Sequence, residues 1–193
     1  MTTTIEAKAQ DRDRLKTYYY LRFAVSAAWV ALAFTVAKSM PALAAVMLVA
    51  YPAWDALANY LDASRSGGLA KNKSQMLNFV VSVVTAVAVA ATLPDGMHAV
   101  LRIFGVWAIL SGLFQLTTGV RRWKSYGAQW AMILSGAQSG LAGAHMLSKA
   151  AGAAPVSVAD IAPYAAFGAF YFLVSAVALT VSSARRRSKA LAA

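Results

Sequence analysis

MLNFVVSVVTAVAVAATLPDGMHAVLRIFGVWAILSGLFQLTTGVRRWK, residues 76–124, contains two long apolar runs parted by Pro-Asp-Gly and closed by Arg-Arg-Trp-Lys. Each run approaches the ~20 residues with which an α-helix crosses the hydrocarbon core of a bilayer. Hydrocarbon offers no partner to a peptide N–H or C=O, so each run must bond its backbone internally, as a helix. The short polar break makes the two helices antiparallel neighbours.

Two similar runs lie on either side, and the predicted spans cover 18–37, 40–60, 76–93, 98–120, 128–147 and 161–182. Of the 193 residues 60% are hydrophobic and 13% charged, too few charges to solvate the surface of an ordinary soluble domain. Cysteine is absent, which excludes disulfides, thiolate nucleophiles and Cys-ligated metal centres. A net charge of +11 suits nucleic-acid binding, but the basic residues sit at the ends of the spans, where topology needs them, and no nucleic-acid partner is expected. The opening MTTTIEAKAQDRDRLK is polar and the first apolar run starts at Tyr18, so the first helix reads as an uncleaved span rather than a secretory signal.

The connections alternate in charge. KSMP, PDG and SKAAGAAPVSVAD carry almost no positive charge, whereas Arg65, Lys71 and Lys73 follow the second span and Arg121, Arg122 and Lys124 follow the fourth. Lys8, Arg12, Arg14 and Lys16 precede the first span, and Arg185, Arg186, Arg187 and Lys189 follow the last. Cytoplasmic loops retain Lys and Arg, so both termini are expected in the cytoplasm. Tyr18, Tyr19, Tyr20, Tyr60, Trp123 and Tyr126 mark the same border, while Trp29, Trp54 and Trp107 lie deeper and fill gaps between helices.

A repeat underlies the spans. LRFAVS at 21–26 matches LNFVVS at 77–82, and Ser135 falls at the equivalent place in the fifth span. GVWAILSGLFQLTTGVRRWK from Gly105 aligns without gaps on GAFYFLVSAVALTVSSARRR from Gly168, and AVMLVAYPAWDALANYLDAS from Ala45 fits the register more weakly. The expected fold is an all-α, polytopic bundle of six transmembrane helices built from three parallel-repeated hairpins, 18–60, 76–120 and 128–182. A tail over 1–17 precedes the membrane domain of 18–183, and a basic tail over 184–193 follows it. Chance likeness among Ala- and Val-rich spans is the alternative to the repeat.

The repeated short hairpin, the six spans in under 200 residues and the helix end SGLFQLTTGVRRWK resemble the HdeD-like family of small bacterial membrane proteins. YPAWDALANYLDASRSGG, from Tyr51, resembles a block of a subgroup within it. That family is named for an acid-resistance membrane protein and built from short repeats of unknown function. The resemblance implies a bacterial inner-membrane location and a stress role, and it supplies no active site.

Polar residues inside the spans are the candidate sites, because a charge at membrane depth costs about 2.5 to 3.5 kcal/mol. Arg22 and Asp55 stand equally far from the first hairpin turn and are expected to pair. The alternative is that Arg22 snorkels and Asp55 caps its helix through water. In the repeat register Asn78 aligns with Arg22 and Gln115 with Asp55, and Asn59 follows Asp55 on one face. Pro52 is expected to kink the second helix near 49–51. With Arg22, Asp55 and Asn59 outline either a small polar cavity for a headgroup or ion, or plain helix packing. Gly136, Gly140 and Gly143, with Gln129 and Gln138 nearby, form a candidate close-packing motif. His98 and His145, near the outer helix ends, are candidate acid sensors or unremarkable interfacial histidines.

There is no HExxH and no pair of carboxylates within the spans, so no catalytic residue, metal or cofactor is expected. The expected protein is non-enzymatic and works through membrane lipid, itself or a partner, in envelope or acid stress; a homo-oligomer fits this, and a small-molecule ligand is not legible. The alternative is a small-solute or ion conduit lined by Arg22, Asp55, Asn78 and Gln115.

Overall fold

A computed structural model describes residues 2–121 and 129–191, and every regular element among them is helical. The helices are α1 (Thr2–Phe34), α2 (Pro41–Arg65), α3 (Lys73–Thr92), α4 (Met97–Arg121), α5 (Gln129–Ala151) and α6 (Ala162–Leu191). Arg122, Trp123, Lys124 and Tyr126 lie outside the described residues, as do the side chains of Lys8, Arg121, Gln129, Arg186, Arg187 and Lys189.

Local chemistry sets the helix ends. Pro41 opens α2, where its missing N–H would have had no intrahelical partner. At the other end Gly68 N–H reaches back to the Ala63 carbonyl at 2.8 Å, while Gly67 and Gly68 take φ of 95° and 89°, a region that other residues avoid. Asn72 then closes the connection by donating to the carbonyls of Ser66 and Gly68, both at 2.9 Å. Pro94 and Gly96 divide α3 from α4 at the predicted break. α2 runs through the buried Pro52 as one helix. The polar segment expected as an N-terminal tail is helical from Thr2 and continuous with α1.

Among the described residues four helices are long and apolar enough to cross a bilayer: Pro41–Arg65, Lys73–Asp95, Met97–Val120 and Ala162–Arg185. α1 is diluted by Arg22 and three tyrosines, and α5 by Ser135, Gln138, Ser139 and its glycines. The surface is inverted relative to a water-soluble bundle. Leu141, Val46 and Val87 are 73%, 65% and 64% exposed, whereas Ser26 and Ser82 are 2% and 1% exposed. In water such an exterior forfeits most of the gain from apolar burial; in hydrocarbon, apolar residues outside and paired polar residues inside are the stable arrangement.

The chain divides into two compact units, Met1–Ala28 with Ala165–Ala193, and Trp29–Tyr164. In the smaller unit Tyr19 stacks on Phe172 with centroids 6.3 Å apart, and the hydroxyls of Tyr20 and Thr180 lie within 3.2 Å. In the larger unit α4 packs most closely on α5, and α2 on α3. Both pairs are joined by the basic connections, so the tightest packing of this unit does not follow the hairpins that the repeat pattern groups. Leu48, Val89, Val100, Leu101, Phe104 and Ile161 fill its core.

Candidate functional site

Three helices of the larger unit place polar atoms in contact. Ser82 on α3 donates to Asp55 Oδ2 on α2 at 2.8 Å, and the indole N–H of Trp107 on α4 donates to Ser82 Oγ at 3.1 Å. Asn59, one turn beyond Asp55, donates to Oδ2 at 3.0 Å and to the Asp55 carbonyl at 2.8 Å. One hydroxyl thus serves as donor to a carboxylate and acceptor from an indole. Such linked bonds polarise one another in a low dielectric.

Aromatic rings enclose this chain. Tyr51 lies 4.9 Å from Trp29 and 5.9 Å from Trp107 between ring centroids. Phe104 and Tyr164 meet Trp107 edge to face, each at 5.7 Å. The indole of Trp29 donates to the Met47 carbonyl at 2.9 Å, fixing the end of α1 on α2.

The α4–α5 pair is set by glycine. A Cβ on Gly112 would stand 2.5 Å from the Gly136 carbonyl oxygen, and one on Gly143 would stand 2.5 Å from that of Gly105. Both distances are shorter than any carbon–oxygen contact, so only glycine fits. The paired glycines are seven residues apart on each helix, two turns, and they alternate between antiparallel partners. A Cβ at Gly140 would meet nothing within 4 Å, although its backbone nitrogen would stand 2.8 Å from a Cβ on Gly112, so Gly136 and Gly143 are closed to any side chain and Gly140 lines the contact with backbone alone.

The other predicted positions lie on α1, α3, α4 and α5. Arg22 belongs to the smaller unit and Asp55 to the larger. The Arg22 guanidinium lies 4.2 Å from the Phe172 ring centroid and donates to the Tyr18 hydroxyl at 3.1 Å. Asn78 donates to the Ser74 carbonyl of its own helix at 3.0 Å. Gln115 keeps a buried carbonyl oxygen without a hydrogen-bond partner among the described residues, and the Trp54 indole N–H is in the same state. His145 is exposed, and His98 reaches the Ala150 carbonyl at 3.2 Å from Nδ1, beside Arg102 at 3.3 Å. These two donors cap the carboxyl end of α5, where the helix dipole favours positive charge.

A second polar cluster orders the segment before α6. Asp160 forms an ion pair with Lys149 and accepts from Ser157 N–H at 2.6 Å, closing a capping box. Burial raises the Asp160 pKa, but the Lys149 hydrogen bond and charge and the Ser157 backbone N–H outweigh it, holding the carboxyl below its ordinary range.

Ser82, Trp107, Arg102 and the Gly105–Gly112 pair were not among the predicted site residues. Ser82 did carry a sequence signal, as the last residue of LNFVVS, whose counterpart Ser26 in LRFAVS is also buried.

Residues 79–148 match the family described as a short repeat of unknown function, DUF308. The match runs from α3 through α5 and includes Ser82, Trp107 and all four contact glycines. No curated protein and no solved structure matches the chain.

Proposed function

We propose that this chain is a non-enzymatic, multi-pass protein of the HdeD-like type, crossing the bacterial inner membrane six times with both termini in the cytoplasm. It acts by association within the membrane, with lipid, with itself or with a partner, in envelope or acid stress. One observation carries the reading. The polar atoms at depth in α2, α3 and α4 join helices to one another, since Ser82 is bonded to both Asp55 and Trp107. The buried serines at equivalent places of LRFAVS and LNFVVS support a repeated hairpin beneath the six spans. Reconstitution in liposomes tests it: association predicts a fixed subunit number or retained lipid by native mass spectrometry and no saturable solute uptake.

A second reading, a small-solute or ion conduit, is favoured by the buried Gln115 oxygen, an acceptor open to a donating guest. It predicts saturable uptake that Asp55→Asn abolishes.

A further inference from the structure

A groove of about 450 Å3 runs along the α2–α3 pair, lined from α2 by Ala53, Leu57 and Tyr60 and from α3 by Phe79, Val83 and Val87. Its walls are apolar, and all of these residues except Phe79 are exposed. At one end the rings of Tyr60 and Phe79 lie 6.0 Å apart. From Phe79 to Val87 the groove is about 12 Å long at a rise of ~1.5 Å per residue. That is most of the depth of one leaflet, about 15 Å.

Past the ringed end the chain becomes cationic. Arg65 closes α2 five residues beyond Tyr60, Lys73 opens α3 six residues before Phe79, and Lys71 lies in the connection between them. These offsets carry the cations about 8 to 9 Å beyond the rings, into a headgroup layer ~5 to 8 Å thick. All three side chains are exposed and none is in an ion pair among the described residues. The nearby Asp62 accepts from Gln75 Nε2 at 3.0 Å.

We infer that this groove holds one acyl chain of an anionic phospholipid drawn from the leaflet on the side of the α2–α3 connection, with its phosphate among Arg65, Lys71 and Lys73. Any exposed groove in a bilayer fills with hydrocarbon; the cations above this one are what make the occupant anionic. Each Lys or Arg at an anionic surface is worth about fivefold in affinity. The inference rests on the membrane embedding proposed above, and not on subunit number or partner.

The test is native mass spectrometry of the full chain released from nanodiscs containing equal amounts of phosphatidylglycerol and phosphatidylcholine. The wild type retains phosphatidylglycerol in preference. The triple variant Arg65→Gln, Lys71→Gln, Lys73→Gln loses that preference, by about fivefold for each charge, whereas Lys38→Gln, far from the groove in sequence, leaves it intact. The pair Ala53→Phe and Val83→Phe, which fills the groove from both walls, reduces retention of both lipids while helical circular dichroism is unchanged. Equal retention of the two lipids by the wild type overturns the inference, as does full preference in the triple variant. A dimer weakened by the phenylalanines would assign the groove to a second copy and also overturns it. A chain monodisperse in plain buffer would refute the membrane reading itself, a result distinct from loss of lipid preference.

Discussion

Ser82 Oγ lies 2.8 Å from Asp55 Oδ2, a hydrogen bond between two helices made by a serine that is 1% exposed. The same oxygen accepts the Trp107 indole N–H, so the serine joins α2, α3 and α4 through one atom.

Replacing Ser82 with Ala is therefore expected to cost more than one ordinary interhelical bond. Single bonds between membrane helices average about 0.6 kcal/mol, whereas a buried donor left unbonded costs about 1 to 3 kcal/mol. Thermal unfolding in detergent should show a loss in the upper range for Ser82→Ala and almost none for Ser64→Ala, an exposed serine bonded to its own helix. Equal effects would remove the junction.

Gly112→Ala and Gly143→Ala should destabilise by about 1 to 3 kcal/mol, the usual cost of overpacking, because the added carbon meets backbone that has nowhere to move. Gly140→Ala, into open space, should be neutral or slightly stabilising through helix propensity. If the three variants melt alike, the α4–α5 register is wrong.

The Asp160 cluster predicts a pH dependence. Its carboxyl titrates below the ordinary 3.8 in the folded chain, so the folded state favours the ionised form. The contribution is complete above the ordinary value and is lost as pH falls through the lower folded value. The difference in melting temperature between wild type and Asp160→Asn should be constant near neutrality and shrink in strong acid. A difference that grows on acidification contradicts the pairing with Lys149.

Topology is testable because the chain has no native cysteine to interfere. With six spans and cytoplasmic termini, Ser66→Cys on the α2–α3 connection should resist an impermeant maleimide in intact cells, and Ala153→Cys before α6 should react. The reverse pattern, or reaction of both, would break the alternation of basic connections.

Removing both donors to the Ala150 carbonyl, His98→Phe with Arg102→Gln, should cost more than the sum of the single changes, since either donor alone still satisfies the oxygen. Strict additivity in a double-mutant cycle would argue against a shared cap.

The helices themselves were legible from residue order alone. The pattern predicts spans at 76–93 and 98–120, and α3 and α4 occupy Lys73–Thr92 and Met97–Arg121. Run length, Pro-Asp-Gly breaks and charge islands are local properties, and hydrocarbon forces any such run into a helix. Inside the spans, however, apolar residues dominate every face, so the periodicity that tells a soluble helix which side to bury is weak. Axial rotation and the choice of neighbour were left open. Asn78 aligned with the candidate site yet bonds its own helix, while Ser82, marked only as a repeat position, became the junction. The seven-residue glycine contact between α4 and α5 and the double use of Ser82 both depend on register between segments remote in sequence. Only close packing of backbone on backbone decides that register, because a Cβ or an unbonded polar atom in the wrong place is intolerable there.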